Sequence, residues 1–331
     1  MEAAIAIEPL LEEAVPDAAT VRSPDTLPET LYRAHVVACD APGNAHAFDF
    51  MSDYLTMMDV LAKSIAHSLS AECGVTPLQY RIMLRLSEGD AVRTGALSQC
   101  LDVGLSTVST AVAKLADAGA VARHEDARDM RTVDLTLSRR GRTLMHQADA
   151  AVVSVMASYW RSLTREQLAA ALASSVAAVE RHSSPRMEGG KQRLDTALVD
   201  TVMISRSLTT RALQAHGLAP NDFRALLALR VLGGHSTASA IAEFLFLNAS
   251  DITSCLRNLE ATGLITRQRS TENRRVRIIQ LTDAGTKRLV ELMPVVFDAL
   301  HETCHSNDEL IHVHISAARD LVARKRHQSA F

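Results

Sequence analysis

Guanidinium groups crowd two short stretches of this 331-residue chain. One holds Arg123 and then Asp126-Ala127-Arg128-Asp129-Met130-Arg131; the other holds Arg267, Arg269, Arg274, Arg275 and Arg277. Each stretch lies between strand-like runs, 120–123 and 131–137 in the first case, 264–267 and 276–281 in the second. Arginines on a turn between two strands could grip a polyanion; solvated strand charge is the plainer alternative. His301, Cys304 and His305 share one helical face and could ligate zinc or copper, against the plainer reading of a solvated helix. Cys39 or Cys73 could act as an oxidation-sensing thiol, but neither has an adjacent Lys or Arg to stabilise a thiolate, so inert thiols are favoured. No Ser/His/Asp set, nucleotide loop or metal-hydrolase motif is present, so an enzyme is not expected and no cofactor is implied.

The elements that carry these groups occur twice. Thr76-Pro77-Leu78-Gln79-Tyr80-Arg81 lies over Ala219-Pro220-Asn221-Asp222-Phe223-Arg224 at an offset of 143. After one inserted residue the offset becomes 144, placing Leu97 on Ile241, Leu101 on Leu245, Ser106 on Ser250 and Leu115 on Leu259. It then holds through Gly119 on Gly263, Arg123 on Arg267, Arg131 on Arg275, Leu137 on Leu281 and Gly141 on Gly285. The period is too long for a solenoid unit and implies two copies of a whole domain.

Each copy has one plan. A helix comes first (48–70, 194–216), then a second opened by Pro77 or Pro220 at its first turn. A short helix follows (96–101, 238–245), then a tight turn whose Gly104 or Asn248 is expected to take the left-handed conformation. The next helix is expected to be N-capped by Ser106 or Ser250 and C-capped by Gly119 or Gly263. Its Val108, Val112 and Leu115, matched by Ile252, Leu256 and Leu259, form one apolar face. After the two strands, long helical sequence closes each copy, interrupted near Thr164-Arg165-Glu166-Gln167 and Ser306-Asn307-Asp308-Glu309. The boundaries read as an acidic, Pro-containing arm (1–46), a first domain (47–182), a linker (183–193) and a second domain (194–331).

Helix, three-residue turn, helix and Arg-bearing hairpin resemble the winged helix-turn-helix of the MarR family of bacterial transcription regulators. The D-x-R-D-x-R run at 126–131, with 115–123 upstream and 135–141 downstream, carries the resemblance in copy one. Copy two keeps the register at Arg267, Arg275, Leu281 and Gly285 but reads Ser270-Thr271-Glu272-Asn273-Arg274-Arg275 at the wing, losing both Asp positions. The resemblance implies a mainly α fold with small β-hairpin wings (α+β): tandem winged helix-turn-helix domains forming an intramolecular pseudo-dimer through their N- and C-terminal helices. It implies double-stranded DNA as partner and a ligand-responsive repressor as function.

In such a fold the recognition helices would present Ser106, Thr107, Ser109, Thr110 and Lys114 in copy one, and Ser250, Asp251, Thr253, Ser254, Arg257 and Asn258 in copy two. Hydroxyls bond phosphate or several bases, so the first helix reads weakly, and the unlike second helix implies an asymmetric operator. Arg128 at the wing tip would enter a narrow minor groove. By resemblance Asp126 pairs with Arg131 to hold the wing and Arg123 meets the backbone, with Arg267, Arg269, Arg274, Arg275 and Arg277 as the copy-two counterparts. Tyr54, Met57, Met58, Trp160 and Phe297 could line a pocket for a small-molecule effector, against the plainer reading of core. Arg324-Lys325-Arg326 could add a phosphate contact, though a solvated tail is the plainer reading.

Composition bounds these readings. Apolar residues make up 47% and charged residues 22%, with aromatics only 4%, values of a globular, Ala- and Leu-rich helical protein. Eight acids against two bases in 1–46 leave 33 bases and 30 acids for the rest, so the net charge of −3 hides a mildly basic body. Five scattered cysteines fit a reducing compartment, and neither a secretory signal nor a membrane span is apparent, so a cytoplasmic location is expected. One chain is expected to act alone as a pseudo-dimer, a higher oligomer being the other outcome. The competing function is a protein–protein or ligand-sensing module that kept the winged fold and lost DNA.

Overall fold

A computed structural model describes residues 45–87, 92–126, 129–160, 194–269 and 276–304, with the single positions 175, 179 and 324. The arm up to residue 44, the linker 183–193, both interruptions of the closing helices, and Arg128, Arg274, Arg275 and His305 lie outside the described residues.

Copy one runs α1 (Ala45–Cys73), α2 (Pro77–Ser87), β1 (Val92–Arg93), α3 (Thr94–Leu101), α4 (Leu105–Asp117), β2 (Val121–Asp126), β3 (Asp129–Leu137) and α5 (Arg139–Trp160). Copy two repeats it as α6 (Leu194–Ala215), α7 (Pro220–Val231), β4 (His235–Thr237), α8 (Ala238–Leu245), α9 (Ala249–Ala261), β5 (Ile265–Arg269), β6 (Arg277–Leu281) and α10 (Asp283–Cys304). The repeat expected from sequence is therefore a structural repeat, mainly helical with a small sheet in each copy. Each sheet has a third strand that the sequence reading missed, β1 in the order β1-β3-β2 and β4 in the order β4-β6-β5. Two- and three-residue strands carry too little alternation to be seen.

The central helix of each copy is buried nearly all round, Gln79–Leu86 in α2 and Asp222–Leu229 in α7, and it takes Arg81, Arg85, Asp222 and Arg224 into the interior with its apolar residues. Thr76 opens α2 with a reciprocal cap, its hydroxyl accepting from Gln79 N at 3.2 Å while Gln79 Oε1 accepts from Thr76 N at 2.8 Å. Copy two has Ala219 there and relies on Pro220 at the first turn. Val108, Ala111, Val112 and Leu115 of α4 are buried beneath it, as are Ile252, Cys255, Leu256 and Leu259 of α9. Val92, Val121, Leu135 and Leu137 in the first sheet and Ile265 and Ile279 in the second are the sheets' contribution to the core.

Two expectations about the turn are corrected. The left-handed residues are Asp102 (φ 50°) and Phe246 (φ 52°), two positions before Gly104 and Asn248. Each is the C-cap of its short helix, where the chain must reverse to satisfy the last carbonyls. Gly104 and Asn248 are instead the N-caps of α4 and α9, in extended geometry, so Ser106 and Ser250 lie inside the first turn rather than capping it. Gly119 and Gly263 (φ 71° and 72°) do end these helices, one residue past the cap.

Among the described residues the chain forms two compact units that do not follow the repeat. One gathers Met57–Arg161 with Ser174–Leu208, which includes most of α6; the other joins the chain up to Thr56 with the chain from Thr209 onward. The copy-one unit thus holds most of both first helices, α1 from Met57 and α6 up to Leu208, while the other unit holds α1 up to Thr56 and α6 from Thr209. In the first unit Asp200 of α6 has no exposed surface and is ion-paired to both Arg81 and Arg85 of α2, each 6% exposed. In the second, Phe50 of α1 stacks on Phe297 of α10 at 5.5 Å between centroids, and Arg230 of α7 lies 5.2 Å over the ring of Phe48.

The matched glycines Gly141 and Gly285 explain themselves: an added Cβ would sit 2.0 Å from the carbonyl oxygen of Ala120, or 2.1 Å from that of Leu264. Both let the last helix start hard against the first strand of the wing. Gly141→Ala and Gly285→Ala are each expected to lower stability by about 1–3 kcal/mol through this overlap. Urea unfolding checks it, and an unchanged midpoint would mean that the backbone gives way freely.

Candidate nucleic-acid interface

Capping sets the geometry of each reading helix. Gly104 starts α4 with no side-chain cap, whereas the Asn248 side chain caps α9 by accepting from Asp251 N. With the apolar residues turned inward, Ser106, Thr107, Ser109, Thr110 and Lys114 are all exposed on α4. Ser250, Thr253, Ser254, Arg257 and Asn258 are likewise exposed on α9. The structure thus brings the predicted reading residues together as one outward face per copy.

The hydroxyls on these faces are not equivalent. Thr110 Oγ1 donates to the Ser106 carbonyl at 2.9 Å and Thr253 Oγ1 to the Ala249 carbonyl at 2.6 Å. With its proton so used, each can only accept, which suits the exocyclic amines of adenine and cytosine. Asp251 is tied into the cap: Asn248 Oδ1 accepts from Asp251 N at 2.8 Å and Asn248 Nδ2 donates to its Oδ2 at 2.9 Å. Its charge therefore serves the helix start. Leu105, 55% exposed at the first position of α4, was missed in the sequence because it stands off the apolar face. An exposed aliphatic there suits a thymine methyl group.

The wings carry the remaining cations. Arg123 and Arg269 are exposed. Asp126 and Arg131 lie on β2 and β3, though their side chains are outside the described residues, as are those of Trp160, His301 and Cys304. Arg267 Nε approaches Glu260 Oε2 at 2.8 Å, so this arginine is engaged within copy two. Arg269 stands directly across from Arg277 in the β5–β6 ladder, both exposed, and like charges in that position repel. Such a pair is tolerable where an anion is to sit on it.

A cavity of about 650 Å³ lies behind α4, lined by Cys73, Thr76, Gln79, Lys114, Leu115, Arg140 and Leu144, among others. An adjoining cavity of about 400 Å³ opens toward Ser106, Thr107 and Thr110. Arg140, which the sequence reading passed over, is exposed at the start of α5. Tyr54 and Met58 are instead core residues, 4% and 6% exposed. Burial and, less, the neighbouring Glu72 raise the pKa of the Cys73 thiol, the direction that opposes a reactive thiolate. Burial and a 2.9 Å hydrogen bond to Asp222 raise that of Cys255 much further. Among the described residues no cluster of three or more His, Cys, Asp or Glu could hold a metal, and no helix is long and apolar enough to cross a membrane.

Comparison with known proteins finds the same family in both copies. A model described as the MarR family matches residues 74–132 and again 216–276. An HTH-type transcriptional repressor of Mycobacterium bovis is 32% identical over 108 residues, 33% of this chain and 77% of that protein. The HTH-type transcriptional repressor MdtR of Bacillus subtilis is 25% identical over 125 residues, 37% of this chain and 81% of that protein. Among solved structures, a MarR transcription factor from Planctomyces limnophilus is 28% identical, covering 40% of this chain and 91% of that one, with a TM-score of 0.30. The transcriptional regulator BldR from Sulfolobus solfataricus is 23% identical, covering 40% and 99%, with a TM-score of 0.34.

Arg277→Gln should stabilise the free protein by about 0.2–1 kcal/mol at low salt by removing the cross-strand repulsion. The gain should vanish near about 0.5 M salt, where such charges are screened. Thermal unfolding across a salt series checks this, and a gain indifferent to salt would assign it to something other than charge.

Proposed function

Since this chain belongs to the MarR family and carries the family pattern twice, we propose that it is a sequence-specific DNA-binding repressor whose single chain supplies both reading heads to one operator and which a small ligand releases. The family and fold are those of transcription regulators rather than enzymes. The observation that carries the reading is the pair of outward polar faces, one on α4 and one on α9, each over a buried apolar face. The division of both first helices between the two units supports a pseudo-dimer, because each unit draws on chain from both copies.

On the operator, Leu105, Ser106, Thr107, Ser109 and Thr110 meet base edges in one half-site while Lys114, Arg123 and Arg140 meet phosphates. Ser250, Thr253, Ser254, Arg257 and Asn258 read the other half-site, with Arg269 and Arg277 on the backbone. The faces share little beyond their first serine, so the operator is asymmetric, its half-sites about 34–36 Å apart. Arg128 enters the minor groove and Asp126 holds Arg131 in the wing. The effector occupies the cavity behind α4, whose size is that of an ordinary ligand pocket. It releases DNA only if it binds the DNA-free arrangement more tightly. Such a regulator works in the cytoplasm, where its operator is.

A second reading rests on Arg267, whose Nε lies 2.8 Å from Glu260 Oε2 within its own copy: copy two has lost DNA and serves as a protein-binding module. One experiment separates the two. Mobility shift on the promoter beside the protein's own gene should show binding abolished by Arg128→Ala with Arg131→Ala. Arg257→Ala should weaken binding and lower the slope of log K against log salt by about 1. No effect of Arg257→Ala favours the second reading, and unchanged affinity in the wing variant would sink the wing assignment.

A further inference from the structure

The repeat breaks at its most buried charge. The α1 and α6 helices end alike, with Leu69 and Leu213, both fully buried, offering their carbonyls to Val75 N and Leu218 N. Seven residues span 69–75 where six span 213–218, so upstream of this point the copies match at an offset of 144. Burial follows that register closely: Leu55, Met58, Leu61, Ile65 and Leu69 match Val199, Val202, Ser205, Thr209 and Leu213, all buried. Asp200 then falls on Thr56, both without exposed surface. On the central helices, Arg81 falls on Arg224 and Arg85 on Ala228.

The two halves use these positions differently. Arg81 and Arg85 close on Asp200, with Arg85 Nη2 2.5 Å from Oδ2. Arg224 turns to its own copy, donating to Asn221 Oδ1 at 3.0 Å and to the Leu245 carbonyl at 2.9 Å. A weaker contact is one-sided in the same way: Asp59 of α1 takes Lys63 at 2.7 Å and Arg206 of α6 at 3.5 Å, while the match of Asp59 is Met203.

We propose that Asp200, through Arg81 and Arg85, selects the partner: at the position that α6 fills, the copy-one domain accepts the first helix of copy two in preference to a second α1. If a second α1 took the place of α6 in the copy-one domain, the Thr56 hydroxyl would stand where the Asp200 carboxylate does, and the buried Arg81 guanidinium would lose the counter-charge it has here. If α6 packed on copy two's own central helix, the Asp200 carboxylate would be buried against Ala228 and an arginine already engaged. Either like-with-like pairing strands a buried charge, and only the mixed pairing neutralises it. Chains are thereby kept from cross-pairing through identical halves. The inference rests on the reading that the copies pair as dimer subunits do, and its test reads association rather than DNA binding.

A protease site is placed in linker 183–193 of the full chain, which is folded, cut and analysed by native mass spectrometry after prolonged incubation. Every wild-type complex should hold one fragment of each kind. Asp200→Thr with Arg85→Ala, which copies the residues of the other half, should raise like-with-like pairs at least tenfold. Asp200→Asn, which keeps the shape and removes only the charge, should shift the pairing in the same direction and decides the matter if the double variant does not fold. Strictly mixed pairing in the variants would overturn the selection role alone. Wild-type fragments that sort randomly would also overturn it, whereas wild-type fragments that part on cutting would overturn the paired reading and this inference with it.

Discussion

A carboxylate from the second copy, sealed from water between two guanidinium groups of the first, is the constraint on which the architecture turns. Burying Asp200 unpaired would be prohibitive, and so would burying Arg81 and Arg85 without it. An isolated first copy would therefore hold Arg81 in its interior without the carboxylate that neutralises it. The winged domain that looks self-sufficient in the sequence is completed by a helix that begins about sixty residues after its second strand ends. In the other unit the start of α1 meets copy two through aromatic rings, Phe50 stacking on Phe297 and Phe48 lying under Arg230. One junction closes on a buried ion pair and the other on ring contacts, and this difference separates two otherwise similar halves.

Around that constraint the reading surfaces are built by backbone geometry more than by side-chain identity. Phe246 accepts a left-handed conformation that an aromatic residue rarely takes, at about 1 kcal/mol or more, because the chain must reverse within three residues to launch α9. Gly141 and Gly285 remove the one atom that would keep the last helix from the wing. These devices aim α4 and α9 in the same manner although the outward residues differ, so a common mount carries unlike contact chemistry.

Much of this was legible in the sequence. The Pro–Arg match near 77–81 and 220–224, and the run of identities from Ser106 to Gly141, reported two copies of one domain because packing demands the same residue at the same place. The buried and exposed faces of α4 and α9 followed from helical spacing. The caps did not, since hydroxyls at 106 and 250 imitate an N-cap and only the backbone shows Gly104 and Asn248 in that place. Leu105 was hidden because a lone exposed leucine breaks no pattern. The Asp200 clasp was invisible for a different reason: it joins residues more than a hundred positions apart, and no local periodicity marks a charge as buried. Arg140 and the cavity it borders depend likewise on how α5 meets α4.

The packing of α6 on the first winged domain also imposes an order on biosynthesis. When the first winged domain leaves the ribosome, the segment that neutralises Arg81 and Arg85 has not yet been translated. At about 5–20 residues per second the nascent domain waits some seconds with its interior unfinished. A separate subunit would have to be met by diffusion, whereas here the missing helix arrives on the same strand of growing polypeptide. Fusion thus changes assembly from an encounter governed by cellular concentration into a step timed by translation.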